Sequence, residues 1–132
     1  MSFQSRLIND DNVLVKSPFN YIGGKYKYLN QLFKYFPQDI NCMVDVFGGG
    51  FNVGVNTKCK SVWYNDQLTP LVELLEYLTR HTTKHILSYI EDTIKLYDLN
   101  KTDKSSFNVF REKYNNDKVK CPLDLLFYSY CF

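Results

Sequence analysis

The distribution of glycine is the feature of this sequence that most limits how it can fold. All six glycines lie between residues 23 and 54, and residues 55–132 contain none. Glycine adopts backbone conformations that strain other residues, and it lets a ligand approach the main chain closely. We therefore expect tight turns and a site lined by backbone in the first half of the chain, and mostly helices in the second half.

The glycines form two clusters, "YIGGKYKYL" (21–29) and "VFGGGFNVGVN" (46–56). The second cluster follows "CMVDVF" (42–47), a short apolar run that is typical of a buried parallel strand. A short helix is predicted from "FNVGVN" (51–56), and "KSVWYND" (60–66) is predicted to be a second strand that ends on an acid. Strand, glycine turn, helix and strand is the order of a βαβ unit in a doubly wound α/β sheet. Because only two strands are convincing, we expect an incomplete sheet.

Helices are predicted before and after this unit. Beyond an irregular arm, residues 24–36 place Leu29, Leu32, Phe33 and Phe36 on one face at helical spacing, and Pro37 ends the pattern. Thr69 and Pro70 form a helix start, with Thr69 as the N-cap and Pro70 at the first helical position. Further helices are predicted at about 83–97, 105–117 and 121–132. The last helix ends on the apolar run "YSYCF", so we expect that the core needs more chain or a partner.

Composition and charge exclude several classes of function. The net charge of +2 and the pI near 8.3 are too small to indicate nucleic-acid binding by themselves. Arg111, Lys113 and Lys118 lie among acids, which favours a solvated helix face over phosphate contacts. The four cysteines have neither metal-ligand nor disulfide spacing. Residues 1–13 do not resemble a signal peptide, and no segment reaches transmembrane length. The chain is therefore predicted to be cytoplasmic.

Catalytic and metal sites are not indicated by the remaining polar residues. His81 and His85 are four residues apart, but "HTTKH" lacks the glutamate of a zinc-protease helix, so we predict two surface histidines and no metal site. Neither Ser105-Ser106 nor any cysteine lies beside a recognisable base. No catalytic residue is therefore predicted within these 132 residues.

The glycine clusters and the acid at the second strand instead indicate a cofactor with a nucleoside part. Asp66 lies sixteen residues beyond Gly50, where an acid accepts hydrogen bonds from ribose hydroxyls in folds of this kind. The dinucleotide fingerprint G-x-G-x-x-G fails because Val53 stands at the third glycine position. A P-loop fails because Tyr26 follows Lys25. A cofactor that contains adenosine without phosphate, such as S-adenosylmethionine, fits better.

Three segments in this order resemble the Dam-like, or D12, class of DNA adenine-N6 methyltransferases. "SPFNYIGGKYKYL" is similar to motif X of that family, "VDVFGGGFNVGVN" to motif I, and "VWYND" to the acid of motif II. The later "FNVFREKYNND" and "CPLDLLFYSYCF" resemble the helical segment that leads into the DNA-recognition region. The resemblance covers the chain from about Lys16.

The resemblance implies a set of cofactor-binding residues. Tyr21 would pack on S-adenosylmethionine, Lys25 would bind its carboxylate, and Asp66 would bind the ribose hydroxyls. Asp45 and the backbone of residues 48–50 would border the methionine part. The full set is Tyr21, Gly23, Gly24, Lys25, Asp45, Phe47, Gly48, Gly49, Gly50 and Asp66. Taken singly, Tyr21 also fits a core residue, Lys25 a surface helix residue, and Asp45 and Asp66 capping or turn residues.

The family's catalytic D-P-P-Y-type motif, which orients the flipped base, does not occur in these residues; the four prolines are isolated at 18, 37, 70 and 122. We therefore expect an α/β fold: an incomplete Rossmann-like, S-adenosylmethionine-binding core (1–100), followed by a helical segment (101–132) that begins the DNA-recognition region. The leading hypothesis is a truncated or split DNA adenine methyltransferase, inactive alone, which binds double-stranded DNA when completed. The alternative is a non-catalytic module that binds S-adenosylmethionine or a protein, with self-association through its apolar C-terminal helix, whose residues 127–132 we expect to be exposed.

Overall fold

The computed structural model describes residues 2–4, 13–19 and 23–130, with backbone alone at residues 2–4 and 129–130. The chain divides into two compact units, Met1–Val72 and Glu73–Phe132. Among the residues described, no helix combines the length and the apolar character needed to span a membrane.

The first unit contains a three-stranded sheet in the order β1-β3-β2. The strands are β1 (Ser2–Gln4), β2 (Ile40–Asp45) and β3 (Cys59–Tyr64). Strands β2 and β3 are parallel, with Ile40 opposite Cys59 and Asp45 opposite Tyr64. The predicted parallel pair is therefore confirmed, although both strands begin and end one or two residues earlier than the sequence indicates.

Strand β1 was not predicted. It pairs antiparallel with β3, with Ser2 opposite Trp63, so the expectation of an irregular arm is wrong for residues 2–4. Three residues are too few to show the alternation that identifies a strand in a sequence. The pairing arises because β3 offers a free edge to any segment that reaches it.

The segment after the first glycine cluster is less regular than the predicted single helix. It consists of a 3-10 turn (Tyr26–Tyr28), one turn of helix α1 (Leu29–Leu32) and a second 3-10 turn (Phe33–Tyr35). Leu29 is fully buried, and Leu32 and Phe33 are half-buried. Aromatic side chains lose rotamer freedom in a helix, which lowers the helix propensity of this tyrosine- and phenylalanine-rich segment. It ends before Pro37, as predicted.

Strand β2 is more exposed than the buried strand that its apolar sequence predicts. Val44 is 62% exposed, and Cys42 is exposed as well. Within the described residues, β2 pairs with β3 on one side only, so it is an edge strand whose outer backbone groups have no ladder partner.

Helix α2 (Asn52–Asn56) connects β2 to β3, which confirms the predicted order of strand, glycine turn, helix and strand. Helix α3 (Thr69–Arg80) begins at the predicted Thr-Pro pair. Its leucines Leu71, Leu74 and Leu75 are buried at helical spacing. The fold is the partial Rossmann-like α/β core that the sequence predicts, together with several helices.

The second unit is helical: it contains α3 from Glu73 onwards, followed by α4 (Thr83–Tyr97), α5 (Lys104–Asn116) and α6 (Asp124–Tyr130). The hydroxyl of Thr82 accepts a hydrogen bond from the His85 amide at 3.3 Å and caps α4. Phe107, Phe110 and Phe127 form the core of this unit. Phe127 was expected on an exposed apolar surface, and its burial makes that expectation wrong; residues 131 and 132 lie outside the described residues.

A buried carboxylate joins helices α4, α5 and α6. Asp124, at the start of α6, is 2% exposed. The Tyr89 hydroxyl donates to its Oδ1 at 2.7 Å, and Lys113 Nζ lies 3.6 Å from its Oδ2. Burial and this hydrogen bond raise the pKa of Tyr89, which keeps the phenol protonated as the donor.

Candidate functional site

The first unit contains a cavity of about 490 Å³ bordered by the two glycine clusters. Its volume lies in the usual range for small-molecule sites, about 300–1,000 Å³. The lining residues are Gly23, Gly24, Lys25, Phe47, Gly48, Gly49, Gly50, Asn52, Val53, Asp66, Gln67 and Leu68. We call residues 23–25 the first glycine loop and residues 48–50 the second glycine loop.

The second glycine loop has a backbone path that requires glycine. Gly49 has φ of +49°, in the left-handed region. Gly48 lies so close to the ring of Tyr64 that a Cβ there would overlap the ring carbons. The ring cannot move away easily, because Tyr64 is 2% exposed and its hydroxyl donates to the carbonyl of Gly49 at 2.7 Å. Tyr64 therefore fixes the shape of the loop from behind.

Asp66 connects the second glycine loop to the end of β3. Its Oδ2 accepts from the Gly49 amide at 2.8 Å, and its Oδ1 accepts from the Leu68 amide at 2.9 Å. Each carboxylate oxygen has a second lone pair, so both can accept a further hydrogen bond from a ligand hydroxyl. Asp66 thus lines the cavity and also fixes one side of it.

The first glycine loop presents a cation to the cavity. Gly23 has φ of +78° with open space at the position of a Cβ, so it is glycine for conformational reasons alone. The Lys25 ammonium donates to the carbonyl of Gly23 at 2.8 Å. This contact uses one of three N–H donors, and the exposed ammonium can turn towards an anionic group in the cavity.

Asp45 ends β2 immediately before the turn that leads into the second glycine loop. Its Oδ2 is buried and has no hydrogen-bond partner among the described residues. Burial raises the pKa of Asp45 and the charge of Asp66 raises it further, while the Gly54 amide and Lys25 act in the opposite direction. A buried carboxylate oxygen without a hydrogen-bond partner is unfavourable. A cationic group of a ligand near Asp45 would offset its charge, and an ammonium could also donate a hydrogen bond to Oδ2.

The structure brings together most of the residues singled out in the sequence. Eight border the cavity: Gly23, Gly24, Lys25, Phe47, Gly48, Gly49, Gly50 and Asp66. Asp45 is not among the lining residues and lies at the strand end behind them. Tyr21 lies outside the described residues. The binding role of each residue stays a prediction.

Several residues at the site were not identified from the sequence. Asn52, Val53, Gln67 and Leu68 also line the cavity, and Tyr64 supports it from behind. The two-residue period of a strand places Val62 and Tyr64 on one face, but only the structure shows that this face is the buried one. No comparable local pattern marks Asn52.

His81 and His85 lie in the second unit beside Tyr77. The ring of His81 stacks on that of Tyr77 with centroids 3.8 Å apart, and the Tyr77 hydroxyl lies 2.9 Å from Nε2 of His85. In the parts of the chain that the structure describes, no group of three or more His, Cys, Asp or Glu side chains is arranged to bind a metal ion.

Comparison with known proteins identifies the family. Residues 21–132 match the D12 class N6 adenine-specific DNA methyltransferase family. The chain belongs to this class. D12-class enzymes of this type generally use S-adenosylmethionine as the methyl donor, and the resemblance of the three motifs to this family is confirmed.

Relatives of this D12-class chain include three bacterial methyltransferases. It is 42% identical over 114 residues to the type II methyltransferase M.FokI of Planomicrobium okeanokoites and 44% identical over 111 residues to the modification methylase StsI of Streptococcus sanguinis. It is 33% identical over 111 residues to the modification methylase LlaI of Lactococcus lactis subsp. lactis. These matches cover 86%, 84% and 83% of the chain, but only 17%, 17% and 18% of the respective relatives.

Proposed function

We propose that this chain is the S-adenosylmethionine-binding portion of a site-specific DNA adenine-N6 methyltransferase of a restriction–modification system. Methyl transfer in this proposal needs residues beyond these 132, and the chain alone is inactive. The observation that carries the proposal is the single cavity that unites both glycine loops with Asp66. The family match and the modification methylases among the relatives support the same reading.

The proposed contacts follow from the charges around the cavity. The Lys25 ammonium binds the carboxylate of the methionine part, and Asp66 accepts hydrogen bonds from the ribose hydroxyls. Asp45 lies towards the cationic methionine part, which would compensate its buried and unpaired oxygen. The amides of the second glycine loop border the same part, with Phe47 beside them. Tyr21 packs against the cofactor in this proposal.

The cofactor supplies an activated methyl group when it is bound, and the residues of this chain bind and orient it. The acceptor amine of the flipped adenine must be oriented by further residues, because the 132 residues contain no D-P-P-Y-type motif. We assign residues 1–100 to the cofactor-binding core and residues 101–132 to the beginning of the DNA-recognition region. Double-stranded DNA is the substrate of the completed enzyme, and the cytoplasm is its proposed location.

Calorimetry with two ligands tests the proposed contacts separately. S-adenosylmethionine has both the ribose and the carboxylate, whereas methylthioadenosine has the ribose but no carboxylate. Lys25→Ala should weaken S-adenosylmethionine binding by about tenfold or more, the value of one charge-assisted contact, and leave methylthioadenosine binding unchanged. Asp66→Ala should weaken both ligands, because both carry the ribose hydroxyls.

Exposed residues of the same charge provide matched controls. Lys27→Ala and Asp39→Ala remove a cation and an acid that are exposed and lie outside the cavity lining, and both variants should bind like the wild type. The proposal fails if the wild type binds neither ligand. The assignment of Lys25 fails if its variant weakens both ligands equally.

The proposed inactivity of the chain alone is tested by methyl transfer. The purified chain, incubated with double-stranded DNA and S-adenosylmethionine labelled in the methyl group, should transfer no label above a protein-free blank. Robust labelling of adenine by the chain alone would contradict the requirement for further residues, while leaving the cofactor site intact.

The exposed face of the sheet favours the alternative of a protein-interaction module. Val44 and Trp63 are paired across β2 and β3, so their side chains lie on the same face, and they are 62% and 54% exposed. An exposed apolar pair that includes a residue of the edge strand β2 is typical of a surface that binds protein. Light scattering after size exclusion separates the two functions. An assembly that Trp63→Lys dissociates without loss of S-adenosylmethionine binding would support the module.

A further inference from the structure

The extended segment 13–19 is bonded to helix α2 by two asparagine side chains. Asn56 makes two hydrogen bonds to the backbone of Val15: its Oδ1 accepts from the Val15 amide at 2.7 Å, and its Nδ2 donates to the Val15 carbonyl at 2.7 Å. The side-chain amide therefore pairs with both polar backbone groups of one residue, as a neighbouring strand would.

The second asparagine continues this pairing one turn earlier on the helix. Oδ1 of Asn52 accepts from the Ser17 amide at 2.9 Å, and both residues are buried. The Ser17 hydroxyl accepts from the amide of Phe19 at 3.2 Å, and the Phe19 side chain is buried. Residues 15, 17 and 19 are thus fixed at alternate positions along the segment.

The two bonds to Val15 require a side chain that both donates and accepts, as an amide does. The second Nδ2 hydrogen of Asn56 donates to the carbonyl of Asn52 at 2.8 Å, so both donor positions of Asn56 are used. Aspartate would lose the two donors and place a negative charge against two carbonyl oxygens. The spacing of four residues places Asn52 and Asn56 on the same face of α2.

Helix α2, which carries the asparagine pair, begins at the cavity. Helix α2 follows the second glycine loop after one residue, Phe51, and segment 13–19 leads towards the first glycine loop. Asn52 itself lines the cavity. Tyr26 follows the first glycine loop, and its hydroxyl donates to the carbonyl of Leu14 at 3.2 Å. Segment 13–19, which precedes the loop, is therefore also bonded to the residue that follows it.

We propose that Asn52 and Asn56 are positioning residues that set the first glycine loop, and with it Lys25, at the correct distance from the second glycine loop. The role in cofactor binding rests on the proposed function. Because the pair acts through Lys25, its loss should affect a ligand that carries a carboxylate more than one that does not. A merely structural role would affect both ligands alike.

The test combines calorimetry with hydrogen exchange on the whole chain. Asn56→Ala and Asn56→Asp should bind S-adenosylmethionine about tenfold more weakly, as expected for a misplaced charge-assisted contact, with little change for methylthioadenosine. The amides of Val15 and Ser17 should exchange faster in both variants, while those of α4 exchange as in the wild type. Asn41→Ala, which alters an exposed asparagine of β2, should behave like the wild type.

A combined variant provides the second arm. In a Lys25→Ala background, Asn56→Ala should cause little further loss of S-adenosylmethionine affinity, because both changes remove the same contact. Equal weakening of both ligands, or fully additive losses, would overturn the positioning role. If the amides of Val15 and Ser17 exchange as in the wild type, the positioning role is wrong and the proposed function is unaffected. Absence of wild-type binding would instead overturn the proposed function and, with it, the role in cofactor binding.

Discussion

Replacing Gly48 with alanine adds a methyl group where the second glycine loop touches Tyr64. The Cβ would lie well inside 3.0 Å of two ring carbons, closer than real Cβ contacts. The ring is 2% exposed and its hydroxyl is bonded to the Gly49 carbonyl at 2.7 Å, so it has little freedom to yield. Either the loop or the ring must move. If the loop moves, the Gly49 amide that donates a hydrogen bond to Asp66 moves with it.

The size of the effect follows from overpacking. An extra methyl group in a well-packed interior lowers the free energy of unfolding by about 1–3 kcal/mol. For a chain of this size, each kcal/mol lowers the melting temperature by roughly 3–6 °C. Thermal denaturation should therefore show a drop of several degrees for Gly48→Ala, and calorimetry should show weaker S-adenosylmethionine binding.

A double-mutant cycle with Tyr64 tests the cause. Tyr64→Leu is destabilising by itself but makes room for a methyl group, so Gly48→Ala should cost less in the Tyr64→Leu background than in the wild type. Tyr64→Phe, which removes only the hydroxyl, should relieve less of the overlap. Wild-type stability and affinity in Gly48→Ala, or strictly additive losses in the cycle, would refute the contact that we describe.

Two further variants test Asp45 and the buried Asp124. The folded-state pKa of Asp45 is raised above 3.8, so its ionised form destabilises the fold at neutral pH, and this loss is recovered as the pH falls through the raised pKa towards 3.8. Asp45→Asn should therefore melt higher than the wild type at pH 7 in the absence of ligand, with an advantage that shrinks on acidification; a constant difference would contradict this. Tyr89→Phe removes the donor to the buried Asp124, and thermal denaturation should show a loss of about 1–3 kcal/mol. Tyr35→Phe, at an exposed tyrosine, should change nothing, and an equal loss in both would refute the role of the hydrogen bond.

The elements with strong local signals were predicted accurately. Helix α4 spans Thr83–Tyr97, as predicted, because isoleucines recur every four residues after Thr82, which caps the helix. The two parallel strands were found because each combines an apolar run with a glycine or acidic end. Glycine and acidic residues at strand ends also indicated a shared cavity, since parallel strands bring their carboxyl ends to one edge of the sheet.

Features that depend on distant partners were not predictable. Strand β1 exists only through its pairing with β3, and the bonds of Asn56 to Val15 span 41 positions. The exposure of Val44 in β2 was not predictable from the sequence either, because the sequence of an apolar strand is the same whether or not a neighbouring element covers it. Such contacts leave no periodic trace in the sequence around either partner.

The central claim is that S-adenosylmethionine binds between the two glycine loops, and glycine amide signals test it most directly. Labelling the chain with 15N-glycine and 15N-leucine gives six glycine signals, five of them from cavity residues, and leucine signals that include Leu87 and Leu96 of α4. Titration with S-adenosylmethionine should shift the signals of Gly23, Gly24, Gly48, Gly49 and Gly50 and leave those of Leu87 and Leu96 in place. Glycine signals that stay unmoved at saturating ligand, or shifts spread evenly over both sets, would contradict the account.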